Sequence, residues 1–423
     1  MASANTVTTL DGLFKEVYAD NLMSLVPKAA RLQKDAPFVS RDKQEGNTYH
    51  QPVRLTRAHG WTLSTSGDAF ALNPPEPARS ADARISGSSF LLREAISYTA
   101  AAKLASGKGA ERKRAFVSGS SYMVENMTET AALILELQLL YGQSNVGVVS
   151  ARTNDSGTSQ TFSFTAATFI AAMWSGMENG WVDFYTSGGA LLGQAQVTGV
   201  DIENRAITFL GVEAELDAVA AASSPVVYLR DTQSAGMVGM RSIIANTGSL
   251  FNINAATYSL WAGNTYSAAS GSLMFAKVLQ ALNKPVNRGL MTDFLFYVSP
   301  KSWTDCMNDL AALRRYGEKA GGSLEQGGES ITYYGQSGSI ELVPHILVKP
   351  SEAMGMPKGK AIRVGASELT FNLPGGGASG ENSFFENLPD NAGWGTRCYW
   401  HQGLFIPCPA QCVLINNIVN SDD

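Results

Sequence analysis

Residues 118–142, SGSSYMVENMTETAALILELQLLYG, constrain the fold most, because they read as one long helix without a single Lys or Arg. Val124, Met127, Ala131, Ile134, Leu135, Leu139 and Leu140 recur at the spacing of a buried helical face. Glu125, Glu129 and Glu136 share a second, purely acidic face. No cation one turn away offsets their mutual repulsion. A helix with one apolar and one acidic face needs partners on both sides. That requirement fits a chain packed against copies of itself better than a self-contained enzyme.

A chain of 423 residues exceeds one ordinary core, so two or three lobes are expected. Charged residues make up 16%, below the ~25% usual in soluble domains. Two causes fit equally: a surface later covered by neighbouring subunits, or a proportionately large core. The formal net charge of −5 argues against a broad grip on nucleic acid, which needs a cationic face, but not against enclosing it. The start, MASANTVTTLDGLF, lacks a basic segment followed by an apolar one, so no signal peptide is expected. No apolar run is long enough for a transmembrane helix. Cys306, Cys398, Cys408 and Cys412 fit reduced thiols in a reducing cytoplasm.

Along the chain, Thr8 and Asp11 suggest a helix start. Leu10, Leu13, Phe14, Val17, Tyr18, Leu22, Leu25 and Val26 follow at helical spacing until Pro27 ends or kinks the run. This amphipathic arm needs another surface to cover it. From 47 to 100, two alternating segments flank the Pro-rich ALNPPEPARSADA, predicting a two-stranded excursion with a loose tip. It carries Trp61 and Arg54, Arg57, Arg79, Arg84 and Arg93. Two strands alone are barely stable in water, so this loop must lie on something else. The basic run 103–114, KLASGKGAERKR, either pairs with the acidic helix of an adjacent copy or is a solvated turn. Residues 151–232 predict an all-β insertion of five or six short strands with a short helix near Ala166–Met173. Beyond it come a helix at 268–284, the strand Phe294–Val298 and a helix from Pro300 to about Tyr316. Further strands are predicted at Val226–Leu229, Ile331–Tyr334, Ile340–Val343, Ile346–Val348, Ala361–Val364, Cys398–Phe405 and Cys412–Val419.

Catalytic and metal signatures are missing: no G-x-S-x-G, H-E-x-x-H, C-x-x-C or EF-hand loop occurs. Gly355–Ala361 approaches a phosphate loop but has the wrong spacing and Ala361 where a hydroxyl is required. Pro374–Gly380 is a glycine-rich loop. Cys398, His401, Cys408 and Cys412 interleave with Trp400, Leu404, Phe405 and Val413, as buried thiols in a sheet do, which outweighs a zinc reading. His50, His59 and His345 are solitary. Neither catalytic residues nor a cofactor are expected, and the chain reads as no enzyme.

The order of parts carries more than any motif. A helical arm (Leu10–Lys34) precedes an extended loop (about Gly46–Thr99), a long helix ending in Leu139-Leu140-Tyr141-Gly142, and a mixed lobe containing Leu295-Phe296-Tyr297-Val298-Ser299-Pro300-Lys301. With Ala245-Asn246-Thr247-Gly248 and Trp261-Ala262-Gly263-Asn264, this resembles the major capsid proteins of tailed bacteriophages with the Hong Kong 97-type fold. The resemblance implies an α+β fold: N-arm 1–45, E-loop 46–102, spine helix of the peripheral domain 103–150, inserted β-rich domain 151–232, axial domain 233–375 and returning C-terminal strands 376–423. It implies a virion coat protein, assembled in the host bacterial cytoplasm as pentamers and hexamers of an icosahedral head around double-stranded DNA. Arms and E-loops would lie over neighbours, so Leu13, Phe14, Val17, Arg54, Arg57, Trp61, Arg79, Arg84, Glu125, Glu129 and Glu136 are the expected subunit contacts. The spine helix would face the interior, its carboxylates repelling packed DNA. Cross-linking members of the family use a Lys on the E-loop; residues 44–102 contain none, so a non-covalent shell is expected. Without a long N-terminal extension, a separate scaffolding protein is expected, together with a portal and no membrane. An encapsulin-like compartment and a tail-tube or decoration protein are the alternatives.

Overall fold

In the computed structural model, the strand Phe294–Val298 is buried at every position and forms the spine of a six-stranded sheet. The structure describes residues 30–39, 48–65, 67, 69–98, 119–314, 331–336, 338–371, 386–387 and 392–422. The chain divides into two compact units. The larger comprises Pro27–Phe90, Ala132–Glu368 and Trp400–Asp423; the smaller comprises Met1–Val26, Leu91–Ala131 and Leu369–Tyr399.

In the larger unit the sheet order is Thr265–Gly271, Val413–Ile418, Ala353–Pro357, Phe294–Val298, Ser339–Pro344 and Ile331–Tyr334. Phe294–Val298 runs parallel to Ser339–Pro344 and antiparallel to Ala353–Pro357. An uninterrupted apolar strand suits a position covered on both faces. Helices Phe275–Asn287 and Pro300–Arg314 supply Val278, Ala281, Leu282 and Cys306 to that core. Gly355 explains the misleading phosphate-loop spacing. It lies in a central strand, where an added Cβ would come within 2.5 Å of the rings of both Phe294 and Phe296. The glycine is there for ring packing: Gly355–Pro357 is strand, and residues 358–361 only turn the chain toward the next strand, Ile362–Thr370.

Two further expectations are corrected. The helix expected at 268–284 begins only at Phe275, because Thr265–Gly271 joins the sheet edge beside Val413–Ile418. Ile346–Val348 is a turn, closed by Val348 N–H donating to His345 O at 3.1 Å; Leu347 and Val348 are buried there, whereas Ile346 faces outward.

Within residues 151–232, the sequence's short β runs belong to a closed barrel. Its strands pair in the order Gly147–Ser156, Ser159–Phe164, Ala206–Gly211, Leu191–Asp201, Trp181–Tyr185 and Val226–Leu229. Gly147 opposite Val227 closes the ring, which removes exposed sheet edges. Alternate residues point inward, so Phe162, Phe164, Phe184 and Phe209 meet, with Phe184 and Phe209 5.1 Å apart edge to face. The short helix Ala171–Trp174 contributes Trp174, 5.1 Å from the Phe164 ring.

The long helix is Gly119–Leu140, within the predicted span. It stops because Gly142 adopts φ +53° and packs against Met237 and Gly239, where a Cβ would lie 2.1 Å from the Met237 oxygen. In the smaller unit, Glu386–Asn387 pairs with the Gly395 and Trp394 positions of strand Gly393–Phe405. There Tyr98 N–H also donates to Ala392 O at 3.2 Å.

Past the helix end lies a buried charged group. Lys349 is 2% exposed, with Nζ 2.8 Å from Asn145 O, 2.9 Å from Asn145 Oδ1 and 4.8 Å from the Tyr141 ring centre. Arg241 grips Glu352 through two nitrogens at 2.7–2.9 Å. Burial brings the Lys349 ammonium down from 10.5 to about 8. Between those values the unfolded chain holds the proton and the native chain releases it, so Lys349 destabilises the fold less as pH rises. Comparing wild type with Lys349→Met isolates this from titrating thiols and tyrosines. The wild-type minus variant difference in unfolding free energy should climb by about 1 kcal/mol per pH unit between the two pKa values. Parallel denaturation curves across that range would refute it.

Candidate assembly surface

The ribbon at residues 48–85 is built from strands Tyr49–Arg54 and Ser80–Ile85, paired antiparallel from Tyr49↔Ile85 to Arg54↔Ser80. The second strand breaks at Ser86-Gly87 before Ser88–Ser97. Gly87 is required there because a Cβ would sit 2.7 Å from the His401 ring. The base of the ribbon is anchored in the larger unit. Ala83 and Ile85 are buried, Arg84 N–H donates to Phe251 O at 3.1 Å, and Tyr49 and Phe251 flank the Phe405 ring; Leu55, at the other end of the paired strands, is buried too.

Beyond Arg54 the chain leaves regular structure and is held by a few cross-links. His59 N–H donates to Glu76 O at 3.0 Å, and Asn73 binds Thr62 Oγ1 and Trp61 O. The tip carries apolar side chains with nothing over them: Trp61 is 65% exposed, Leu63 83%, Leu72 78% and Phe70 49%. Such a cluster in one loop is how a surface awaiting a partner looks. The sequence reading named Trp61 and passed over Leu63, Phe70 and Leu72. The signal was present as apolar residues in a Pro-rich stretch with no helical or strand period.

Arg54, Arg57, Arg79 and Arg84 are exposed along the ribbon. Arg84 Nε donates to Asp82 at 3.1 Å, and Asp82 also bonds His50 Nδ1 at 2.6 Å. The His50 hydrogen bond leads in holding the Asp82 carboxyl below its ordinary value. Arg54, Arg57 and Arg79 have no acidic partner among the described residues.

Leu13, Phe14, Val17 and the basic run 103–114 lie outside the described residues. On the long helix, Glu125 is exposed and Glu129 half-buried. Glu136 corrects the acidic-face expectation: it is fully buried, because this end of the helix is covered on every face, as the burial of Leu135, Leu137, Leu139 and Leu140 alongside it shows. A carboxylate enclosed by its own chain offers nothing to a neighbour or to packed DNA.

Its partners show that it holds the start of the segment 31–39. Glu136 accepts from Leu32 N–H at 2.6 Å and Gln33 N–H at 3.2 Å, with His345 Nε2 2.9 Å away. Gln33 Nε2 donates to Ala132 O at 2.7 Å, and Tyr297 OH donates to Asp35 at 2.6 Å. Arg363 holds the next residues: Nε donates to Ala36 O at 2.8 Å, its backbone N–H to Pro37 O, and Val39 N–H returns to Arg363 O. Leu32 and Ala36 are fully buried. Sequence alone pointed to none of these contacts, since the partners of Glu136 lie about a hundred and about two hundred residues away.

No protein-family model matches this chain, and no curated protein matches it. Solved structures do. The cyanophage A-1(L) capsid protein aligns with TM-score 0.56 at 10% identity, over 98% of this chain and 99% of that one. Looser likenesses include the capsid of a native GTA particle, with TM-score 0.49, 10% identity and coverage of 99% and 100%. The SrpI encapsulin of Synechococcus elongatus PCC 7942 gives 0.44, 11% identity and coverage of 99% and 96%. Over nearly its whole length, this mixed α and β chain has the fold of the cyanophage A-1(L) capsid protein.

Proposed function

We propose that this chain is the major capsid protein of a tailed bacteriophage. It self-assembles as pentamers and hexamers into an icosahedral head that encloses double-stranded DNA without reading its sequence. One observation carries the reading: a capsid-protein fold presents an anchored ribbon whose apolar tip is uncovered in its own chain. In this reading residues 46–102 are the E-loop, and the tip lies on the adjacent subunit, where Trp61, Leu63 and Leu72 lose their contact with water. Arg54, Arg57 and Arg79 then meet acidic groups of that neighbour. Residues 1–45 act as the arm, 103–150 carry the spine helix, 151–232 the inserted domain, 233–375 the axial domain, and 376–423 return. A separate scaffolding protein and a portal are the partners that go with this role, in a head built in the bacterial cytoplasm.

The test is microscopy of the purified protein, alone and with a candidate scaffold. Closed shells are expected, and virions should contain DNA rather than an enzyme cargo. Because residues 44–102 contain no Lys, boiled and reduced particles should run as single chains on a denaturing gel. A protein that stays monomeric in all conditions would overturn the reading. Ladders would overturn the non-covalent shell.

A further inference from the structure

The turn from Cys408 to Cys412 carries two neighbouring thiols, one at each end. Pro409–Gln411 form one 3-10 turn, closed by Gln411 N–H donating to Cys408 O and Cys412 N–H donating to Pro409 O, both at 3.0 Å. The Cys412 thiol donates to Cys408 O at 3.4 Å, and the two thiols are close enough to influence each other's titration. The turn is clamped from outside. Asn264 Nδ2 donates to Ala410 O and Cys412 O, each at 2.7 Å, and Gln411 Nε2 donates to Gly289 O at 3.0 Å. The clamped turn therefore keeps the two cysteines neighbours by construction. Access to them is unequal: Cys408 is half-buried, while Cys412 is fully buried behind it.

We propose that Cys408 and Cys412 form a peroxide-reactive dithiol that closes into an intrachain disulfide, with Cys408 as the attacking sulfur and Cys412 as the resolving one. In the first step the Cys408 thiolate attacks a hydroperoxide oxygen. The O–O bond breaks, Cys408 becomes a sulfenic acid, and the leaving hydroxide takes a proton. In the second step the Cys412 sulfur attacks the Cys408 sulfur. The S–O bond breaks, and the hydroxyl departs as water with the Cys412 proton. Two thiols are oxidised and one hydrogen peroxide is reduced to two waters. A thiol reductant reverses the change.

The surroundings assign the roles. The hydrogen bond from Cys412, with Lys360 as a further contributor, lowers the Cys408 thiol despite its burial. Burial first, then the same hydrogen bond, pushes Cys412 up, so it remains a thiol until the sulfenic acid forms. Thiolate character with partial access selects the first sulfur attacked. Burial drives Cys306 up to about 12 and Cys398 up to about 11, which makes them internal controls.

The experiment treats the full-length protein with equimolar hydrogen peroxide, then denatures and alkylates it for peptide mass spectrometry. Two of the four thiols should become unavailable. The peptide after Arg397 should be lighter by two hydrogens and alkylated only at Cys398, and dithiothreitol should restore all four sites. In Cys412→Ser the disulfide should vanish while dimedone labels Cys408. Lys360→Ala should slow that labelling near neutral pH. The proposal is overturned if Cys306 or Cys398 oxidises as fast as Cys408, if the new bond joins two chains, or if folded Cys412→Ser gives no Cys408 adduct. Should that variant not fold, the wild-type peptide map decides alone.

Discussion

Glu136→Ala is expected to lower the unfolding free energy by about 3–5 kcal/mol, among the largest losses available from one side chain. Glu136 is completely enclosed and accepts the N–H groups of Leu32 and Gln33 beside His345 Nε2. Removing it strands two backbone donors and one ring nitrogen away from water, each at roughly 1–3 kcal/mol. Relaxation of the segment 31–39 into solvent would recover part of this, at the cost of uncovering Leu32 and Ala36. Glu136→Gln should lose less, because one amide oxygen still accepts from Leu32. His345→Ala should lose less again, since the carboxylate keeps both backbone donors, Leu32 and Gln33. Urea denaturation checks the order, and an Ala variant within ~1 kcal/mol of wild type would show that the docked segment 31–39 contributes little.

This carboxylate also marks where sequence reading stopped. Periodicity correctly located the helix, because Met127, Ala131, Leu135, Leu139 and Leu140 are buried as their spacing required. The same periodicity grouped Glu136 with Glu125 and Glu129, since helical spacing carries no information about elements arriving from elsewhere in the chain. Only the fold brings in Leu32 and His345. The apolar runs Phe294–Val298 and Val226–Leu229 were legible because buried strands need nothing but their own residues to declare themselves. Ala353–Pro357 was not, because Gly355 and Pro357 look like loop residues until two phenylalanine rings are seen to need the room. Of the candidate assembly surface, the arginines and Trp61 were legible as a loop rich in unsupported side chains. That Leu63 and Leu72 stay uncovered depends on how the ribbon leaves its base, which local sequence does not encode.

Trp61→Ser combined with Leu63→Ser is expected to abolish particle formation while leaving the protomer's unfolding midpoint unchanged. Both side chains are more than half exposed, and exposed positions normally shift stability by no more than about 0.5 kcal/mol. Under the capsid reading their cost falls elsewhere. Each buried apolar side chain of this size contributes roughly 1.5–3 kcal/mol at an interface, and large aromatic anchors dominate such contacts. The loss recurs at every subunit contact of a closed shell, so a modest local deficit becomes failure of the whole assembly. Leu55→Ser supplies the contrast: Leu55, just past the paired strands of the same ribbon, is 6% exposed, so its replacement should lower the midpoint of the isolated protomer. Sedimentation with negative-stain microscopy reads assembly, and thermal denaturation reads the protomer. Normal shells from the double variant would mean that the tip is not what neighbours bind. A fall in midpoint equal to that of Leu55→Ser would mean that the tip packs on its own subunit in solution.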